Sequence, residues 1–461
     1  MESDHYDALV TSQVAGRKLI LTGAPLAAFD ASFLQRLLDN GAVEIFIIAD
    51  GVGTGDLPSP GLAQWIVLPA RAESINDEIR RFRRKLARPS KRLRDRLDEW
   101  DPDKRALVMG VPFYSMSRLA GREVLGARRR EWEALEDKVI VDEVWDAAGL
   151  DREPVLVVGA ESSAMTDAAR NLDRGDGTVW AGDAREGFNG GAEYARWIRT
   201  ADDKAEAISF FGEHCDRVRV MPFLEGIPCS IHGIVFPEKT IAFRPCELIT
   251  LRTRSSHFFY AGFSSYWDPP DRDRQEMRDF AKRVGGALRT EVDYRGTFTV
   301  DGVLTIDGFR PTELNARAGA ALSLLTGPSP HVPFGSIQRA LIEGQDYDYR
   351  PDELETALIT AADETRRASI HAIVARRQDK TEQLGVTGQV GPLRLAAKDE
   401  QTTASLTFGP SAVGGFLRAD PTGLLQAGES AAPLACELIA LGDSHWQLDI
   451  GELFAPRSVR L

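Results

Sequence analysis

Gly296-Thr297-Phe298-Thr299-Val300-Asp301-Gly302 and, one turn later, Pro311-Thr312-Glu313-Leu314-Asn315-Ala316-Arg317 are the most informative residues of the chain. The span from Thr297 to Arg317 carries Asp307-Gly308 between two strand-like halves, the pattern of a β-hairpin. Glu313 and Asn315 are two residues apart, so on a strand both side chains point to one face. Asp301 lies 12 residues before Glu313, which across a hairpin sets it on the neighbouring strand. Two carboxylates and an amide oxygen on one sheet face suit a hard cation that also binds phosphates, Mg²⁺. Arg317, two residues further, is aimed at a phosphate or a carboxylate. A solvated acidic sheet face is the plainer alternative, but an Asn between ligand-spaced acids adds nothing to such a face.

Gly187-Phe188-Asn189-Gly190-Gly191 falls between two strand signals. Glycines let backbone N–H groups approach phosphate oxygens without Cβ clashes, so this is a candidate anion-binding nest, although most glycine turns are only turns. Val218-Arg219-Val220-Met221-Pro222-Phe223-Leu224-Glu225-Gly226 is a strand closed by an acid and a glycine, a candidate hinge. Backbone groups there suit an adenine edge and Glu225 suits ribose hydroxyls; an ordinary strand end is the alternative.

The remaining sequence frames these stretches. Its 461 residues predict about three domains. With 56 basic and 69 acidic residues the formal charge is −13, which disfavours a general nucleic-acid or anionic-membrane binder. Cys215, Cys229, Cys246 and Cys436 show no zinc-ligand spacing and read as reduced, mostly buried thiols. No run approaches the ~18 apolar residues of a membrane span. The polar start Met1-Glu2-Ser3-Asp4-His5 has no signal-peptide pattern, so a cytoplasmic protein is expected.

Lys18 to Pro25 reads as a strand with a glycine turn, Phe29 to Asn40 as a helix and Val43 to Ala49 as a strand, a βαβ unit that predicts a parallel sheet. Gly23 lacks the two further glycines of a dinucleotide fingerprint. Arg80 to Arg96 holds ten basic residues and one acid, and reads as a solvated helical face rather than a polyanion site. Ala106 to Val111 returns to strand character and Gly110 to Gly126 is turn-rich. Glu131 to Gly149 reads as one helix, Ser162 as an N-cap, and Thr240 to Arg252 as one strand; Asp271 to Val292 reads as a long helix. The expected architecture is α/β and α+β multidomain: an N-terminal α/β domain over 1–127, a core over 128–350 with a break near 224–228, and a C-terminal domain over 351–461.

Together these features resemble the ATP-grasp superfamily of carboxylate–amine ligases, over roughly residues 130 to 325. The resemblance implies an ATP-grasp fold with a preceding α/β domain and a C-terminal extension. Glu136-Asp137-Lys138 looks like the segment from which a Lys reaches the nucleotide phosphates. Arg185-Glu186-Gly187 with Gly190-Gly191 is similar to the glycine loop, and Phe223-Leu224-Glu225-Gly226 to the hinge. Asp301, Glu313 and Asn315 match the magnesium ligands, and Glu-x-Asn-x-Arg after a hairpin is the most specific of these motifs. Trp132 to Lys138 and Phe243-Arg244-Pro245-Cys246-Glu247 most resemble peptide ligases of bacterial natural-product pathways, the pheganomycin-type group. One departure stands out: the family's second Lys, on the strand before the glycine loop, is absent from Thr178-Val179-Trp180-Ala181-Gly182. Arg185 or Arg244 is the candidate for its charge. The usual ribose acid past the hinge is replaced by Ile227-Pro228, which leaves Glu225.

The resemblance implies ATP and Mg²⁺ as cofactors and small-molecule or peptide carboxylates and amines as substrates, with no nucleic-acid or membrane partner; it leaves a homodimer open. It implies phosphorylation of a carboxylate to an acyl phosphate, then attack by a neutral amine, giving an amide, ADP and phosphate, with Arg317 and Arg244 as further donors to the developing charge. Such a reaction needs a dry site, and residues 187–191 and 252–266 are candidate lids. Arg252 and Arg254 are candidates for gripping a substrate carboxylate, whereas His257 with Phe258-Phe259-Tyr260 reads as packing. Two alternatives are a nucleotide-binding regulatory protein without turnover, favoured by the missing Lys, and a bicarbonate-using carboxylase of the same fold.

Overall fold

The computed structural model describes residues 5–69, 71–109, 115–388, 393–421 and 423–458. Residues 1–4 of the acidic N-terminus and 110–114 of the turn-rich connection lie outside the described residues.

Lys18–Thr22 buries four of its five residues and pairs in parallel with Glu44–Ala49 and Leu107–Met109, the centre of a sheet of six strands among the described residues. Helices Ala31–Asp39, Ile75–Ala87 and Lys91–Trp100 each begin on a side chain, Asp30, Ser74 or Ser90, that accepts a first-turn N–H. The basic stretch lies on the last two of these helices. Phe82 and Leu86, four apart, turn to the sheet. Arg83 bonds Glu133 at 2.9 Å and Arg80 lies 3.8 Å from Glu186, so this face is more than solvated: it joins the first sheet to the rest of the chain.

A second, antiparallel sheet has the order Leu156–Gly159, Arg217–Pro222, Thr178–Gly182, Ala195–Ile198. Helices Ser162–Leu172 and Ala201–His214 cover one face, packing Met165 and Phe211 against Trp180, Val218 and Val220. Strand alternation turns Val179, Ala181, Arg219 and Met221 to the other face.

Among the described residues the third sheet has twelve strands. At its edge is the expected hairpin, Gly296–Thr305 with Gly308–Asn315. Ile227–Val235 comes next, followed by Cys246–Thr253 and Phe258–Ser264. Ala368–Val374, Gly415–Asp420, Ala404–Pro410 and Glu382–Thr387 then extend the same sheet, so residues beyond 351 share hydrogen bonding with those before it. Helix Asp271–Val292 backs the hairpin, laying Met277, Ala281, Val284 and Leu288 against Phe298 and Val300. No described helix is long and apolar enough to cross a membrane.

Three local expectations are corrected. Glu131 to Gly149 is two short helices, Arg130–Ala134 and Val141–Ala147, joined by tight i→i+3 turns. The β-branched run Val139-Ile140-Val141 weakens helix there, and Lys138 is drawn off to distant partners. Thr240 to Arg252 breaks at Phe243-Arg244-Pro245, where Pro245 removes a ladder donor. Glu161, not Ser162, holds the N-cap position of its helix.

Candidate active site

The second and third sheets face each other across a half-open cavity of about 380 Å³. The third sheet supplies its floor through one face of three adjacent strands: Ser230 and His232, Thr299 and Asp301, Glu313 and Asn315. Val179, Ala181, Arg219 and Met221 form the opposite wall, and Phe188, Gly190 and Gly191 close one side.

Asp301 and Glu313 are register partners, and the second strand bulges immediately beyond them, with Thr312 the extra residue opposite the Asp301-Gly302 step. Only glycine fits at position 302, because a Cβ would lie 2.4 Å from the Arg310 carbonyl oxygen. Asp301 accepts from Ser230 Oγ at 2.5 Å and from Asn315 Nδ2 at 3.0 Å. Burial, then repulsion from Glu313, pushes its carboxyl well above the usual carboxylate range. Arg317 donates to Asn315 Oδ1 at 2.8 Å and to Glu136 at 3.0 Å, with its guanidinium 5.2 Å above the Phe188 ring. Lys138 donates to Glu313 at 3.1 Å and to the Asn189 carbonyl and side-chain oxygens at 2.8 and 2.9 Å. This buried ammonium ties the glycine stretch to the acidic pair.

Among the described residues no group of three or more His, Cys, Asp or Glu side chains forms a metal cage. The donors fit a cation whose remaining ligands are phosphate oxygens, since Mg²⁺ is commonly held by one or two carboxylates plus substrate phosphates. Asn315 turns its oxygen to Arg317, so it would join the two carboxylates as a ligand only by turning its amide over.

The glycine stretch is held from both sides. Gly190 N–H donates to Asn76 Oδ1 at 2.9 Å, Asn76 Nδ2 returns a bond to the Gly190 carbonyl at 3.1 Å, and Gly187 N–H is taken by the Ala184 carbonyl. Gly190 and Gly191 line the cavity and Gly187 does not. Asn76 and Asn189, absent from the sequence-based site, are therefore the side chains that fix this loop. Asn189 stood inside the quoted motif; for Asn76, more than a hundred positions away, the sequence offered no signal.

At the hinge, Phe223 and Leu224 line the cavity, and Phe223 stacks on Trp197 with centroids 4.0 Å apart. Gly226 has φ +154°, and a Cβ there would meet the Leu304 carbonyl oxygen at 2.2 Å, so the hinge glycine permits close contact with the hairpin. Glu225 does not line the cavity. Both its oxygens receive Arg252 guanidinium bonds, at 2.6 and 3.0 Å, and one also accepts from Arg457 N–H. Burial works against ionisation, but the Arg252 bonds outweigh it and hold the carboxyl below its usual range. In this structure three of its acceptor positions are thus engaged by the protein itself.

Four arginines were expected at the site beside Arg317, and one reaches it. Arg252 lines the cavity. Arg254 is exposed and pairs with Glu452, and Arg185 pairs with Asp216 at 3.2 Å on the outer surface. Arg244 is buried elsewhere, between Asp268 at 2.6 Å and Asp363 at 3.0 Å. The cation that does stand on the second-sheet wall is Arg219. It lies in register with Ala181, on the strand that lacks the Lys, and is gripped at both ends by Asp142 at 2.7 and 2.8 Å. Residues 252–266 are mostly strand: Phe258–Ser264 pairs with Cys246–Thr253 and, from Gly262 to Ser264, also with Ala368–Val374, which ties the candidate lid into the sheet. His257 bonds Glu206 away from the cavity.

Neither a protein-family model nor a curated protein matches the chain. Solved structures do. The ADP complex of N5-carboxyaminoimidazole ribonucleotide synthetase is similar over 94% of this chain and 99% of its own, with a TM-score of 0.52 and 12% identity. The biotin carboxylase domain of Hydrogenobacter thermophilus 2-oxoglutarate carboxylase, in complex with MgADP, ADP and bicarbonate, is similar over 88% of this chain and 86% of its own, with a TM-score of 0.53 and 13% identity. Phosphoribosylamine–glycine ligase from Thermotoga maritima covers 92% of this chain and 96% of its own, with a TM-score of 0.51 and 15% identity. Identities this low speak for architecture alone. The chain has the ATP-grasp fold, in a mixed α/β multidomain setting.

Proposed function

We propose that the chain is an ATP-dependent carboxylate–amine ligase. It would phosphorylate a substrate carboxylate and couple the acyl phosphate to the amine of an amino acid or peptide, forming an amide with release of ADP and phosphate. The observation that carries this reading is the opposed pair Asp301 and Glu313 on the cavity floor, with Lys138 and Arg317 bonded into the same cluster. In this reading residues 1–127 brace the glycine stretch through Asn76, residues 128–350 hold the nucleotide, and residues 351–461 extend the floor sheet.

Asp301, Glu313 and Asn315 would hold Mg²⁺, which supplies neutralisation of phosphate charge when bound. Lys138 and Arg219 are the chain's own phosphate-side cations, and Arg317 faces the transferred group. Phe223 and Leu224 present an apolar edge for a base, with the Gly190-Gly191 turn over the phosphates. The reaction also requires that water be kept from an acyl phosphate that would otherwise hydrolyse. Three solved neighbours were crystallised with ATP, ADP or MgADP, which supports nucleotide use here. The finer reading, a peptide ligase of the pheganomycin type, rests on Trp132 to Lys138 and Phe243 to Glu247.

A phosphate-release screen with MgATP over pairs of amino acids and short peptides, followed by mass spectrometry, tests the proposal. Asp301→Asn and Glu313→Gln should each abolish turnover without loss of fold, and a double variant that still makes product refutes the metal assignment. The second reading, carboxylation, is favoured by the bicarbonate in one neighbour's complex; phosphate release that requires bicarbonate would decide for it.

A further inference from the structure

His232 and Thr299 face each other in register on adjacent strands, one row along the floor from Ser230 and Asp301. They are 1% and 2% exposed, and both line the cavity. Among the described residues neither ring nitrogen of His232 nor the Thr299 hydroxyl has a hydrogen-bond partner. Buried polar side chains are nearly always partnered, because an unmade bond in a dry place leaves the desolvation uncompensated. Two such groups side by side on a cavity wall mark a place for a ligand with donors and acceptors of its own. Gly319 shows where that place is. Its backbone packs beside both polar atoms: a Cβ on it would lie 2.4 Å from Thr299 Oγ1 and 3.0 Å from His232 Nε2, so any residue larger than glycine would crowd them.

The chemistry of the place is neutral. Burial, the only cause acting on it, pushes the imidazole down to about 3, leaving one lone pair and one N–H. The nearest carboxylate along the sheet, Asp301, is already held by Ser230 and Asn315. A cation entering here would be stripped of water without a counter-charge, whereas an uncharged amine can donate its N–H groups to the free imidazole lone pair and to Thr299 Oγ1 and keep its own lone pair for attack. Resting on the ligase reading, we propose that His232, Thr299 and Gly319 form the subsite for the uncharged amine nitrogen of the nucleophile. From there the nitrogen attacks the acyl carbon: the C–N bond forms, the C–O bond to phosphate breaks, and the nitrogen's proton passes to the departing phosphate. His232 positions the nitrogen and takes no charge.

The test uses the full chain with isotope-labelled histidine and hydroxylamine as probe, because hydroxylamine is an uncharged amine at neutral pH; methylammonium is the charged counterpart. The loss of one ring signal in His232→Gln identifies that residue. Hydroxylamine should shift the signal saturably, and methylammonium should be at least about tenfold weaker. Gly319→Ala, whose Cβ would crowd both polar atoms, should lose the response, and Thr299→Val, of nearly equal shape, should weaken it severalfold. A silent His232, an equal response to both amines, or undiminished responses in both variants overturns the proposal. Turnover in the phosphate-release screen with a silent His232 defeats the subsite alone; a responding His232 with no turnover for any pair defeats the ligase reading alone.

Discussion

Replacing Lys138 with Met tests the nucleotide reading without knowledge of the other substrates. The Lys138 ammonium has three donors, and all are used, on Glu313 and on both oxygens of Asn189. Met keeps the stem's volume and removes the charge, so packing is largely preserved. Breaking a wholly buried ion pair costs about 3–5 kcal/mol, but the Glu313 side chain is 26% exposed and water partly replaces the lost partner, so about 1–2 kcal/mol of stability is expected to go. The binding term is separate. A charge-assisted hydrogen bond to phosphate is worth about 1.5–3 kcal/mol, which converts to a roughly 10- to 150-fold weaker MgATP complex. Calorimetric titration with MgATP and with adenosine separates the two, because adenosine carries no phosphate. Its affinity should stay within about twofold. Wild-type affinity for MgATP, or equal weakening of adenosine and MgATP, would refute the placement of Lys138 at the phosphates.

Arg219→Met made together with Asp142→Leu removes a buried charge pair as a unit, so the melting temperature should change by only a few degrees while MgATP binding weakens about tenfold; unchanged binding takes Arg219 out of the phosphate grip. In the first sheet's domain, burial and then Asp50 push Glu78 up to about 7. The folded state therefore keeps a proton that the unfolded chain gives up near 4.5, and stability falls as pH rises through that window. Glu78→Gln should thus raise stability by about 2–3 kcal/mol near pH 8 and leave it unchanged near pH 4, as read by thermal unfolding. Gly226→Ala should cost about 2–4 kcal/mol, because the new Cβ meets the Leu304 carbonyl and the residue must hold φ +154°; a melting temperature equal to wild type would show that the hinge yields freely.

The parts legible in the sequence were those that local periodicity controls. Alternation over Thr297 to Arg317 set Asp301, Glu313 and Asn315 on one face, and the 3.6-residue period over Asp271 to Val292 marked a helix whose observed ends coincide with it. The strand–turn–helix–strand run from Lys18 to Ala49 likewise forecast parallel pairing. Each of these depends on the order of apolar and polar residues within a dozen positions, which the chain cannot alter by folding. The Glu131 to Gly149 error shows the limit: helical periodicity continued through Lys138, but a bond to Glu313 across the fold and a β-branched run broke it.

What only the tertiary structure decided was which charges meet. Arg185, Arg244 and Arg254 were as plausible in sequence as Arg219 and Lys138, yet carboxylates remote in the chain hold the first three away from the cavity. Arg219 reaches it because its strand lies in register with the one that lacks a Lys. His232 and Thr299 gain meaning only as neighbours left without partners, and Asn76 only because the first sheet docks on the glycine stretch. The physical reason is one of range. Side-chain direction follows from backbone period and is local, whereas desolvation and ion pairing depend on whatever the fold brings within a few ångströms. The sequence by itself determined the acidic floor; the fold chose the cations above it.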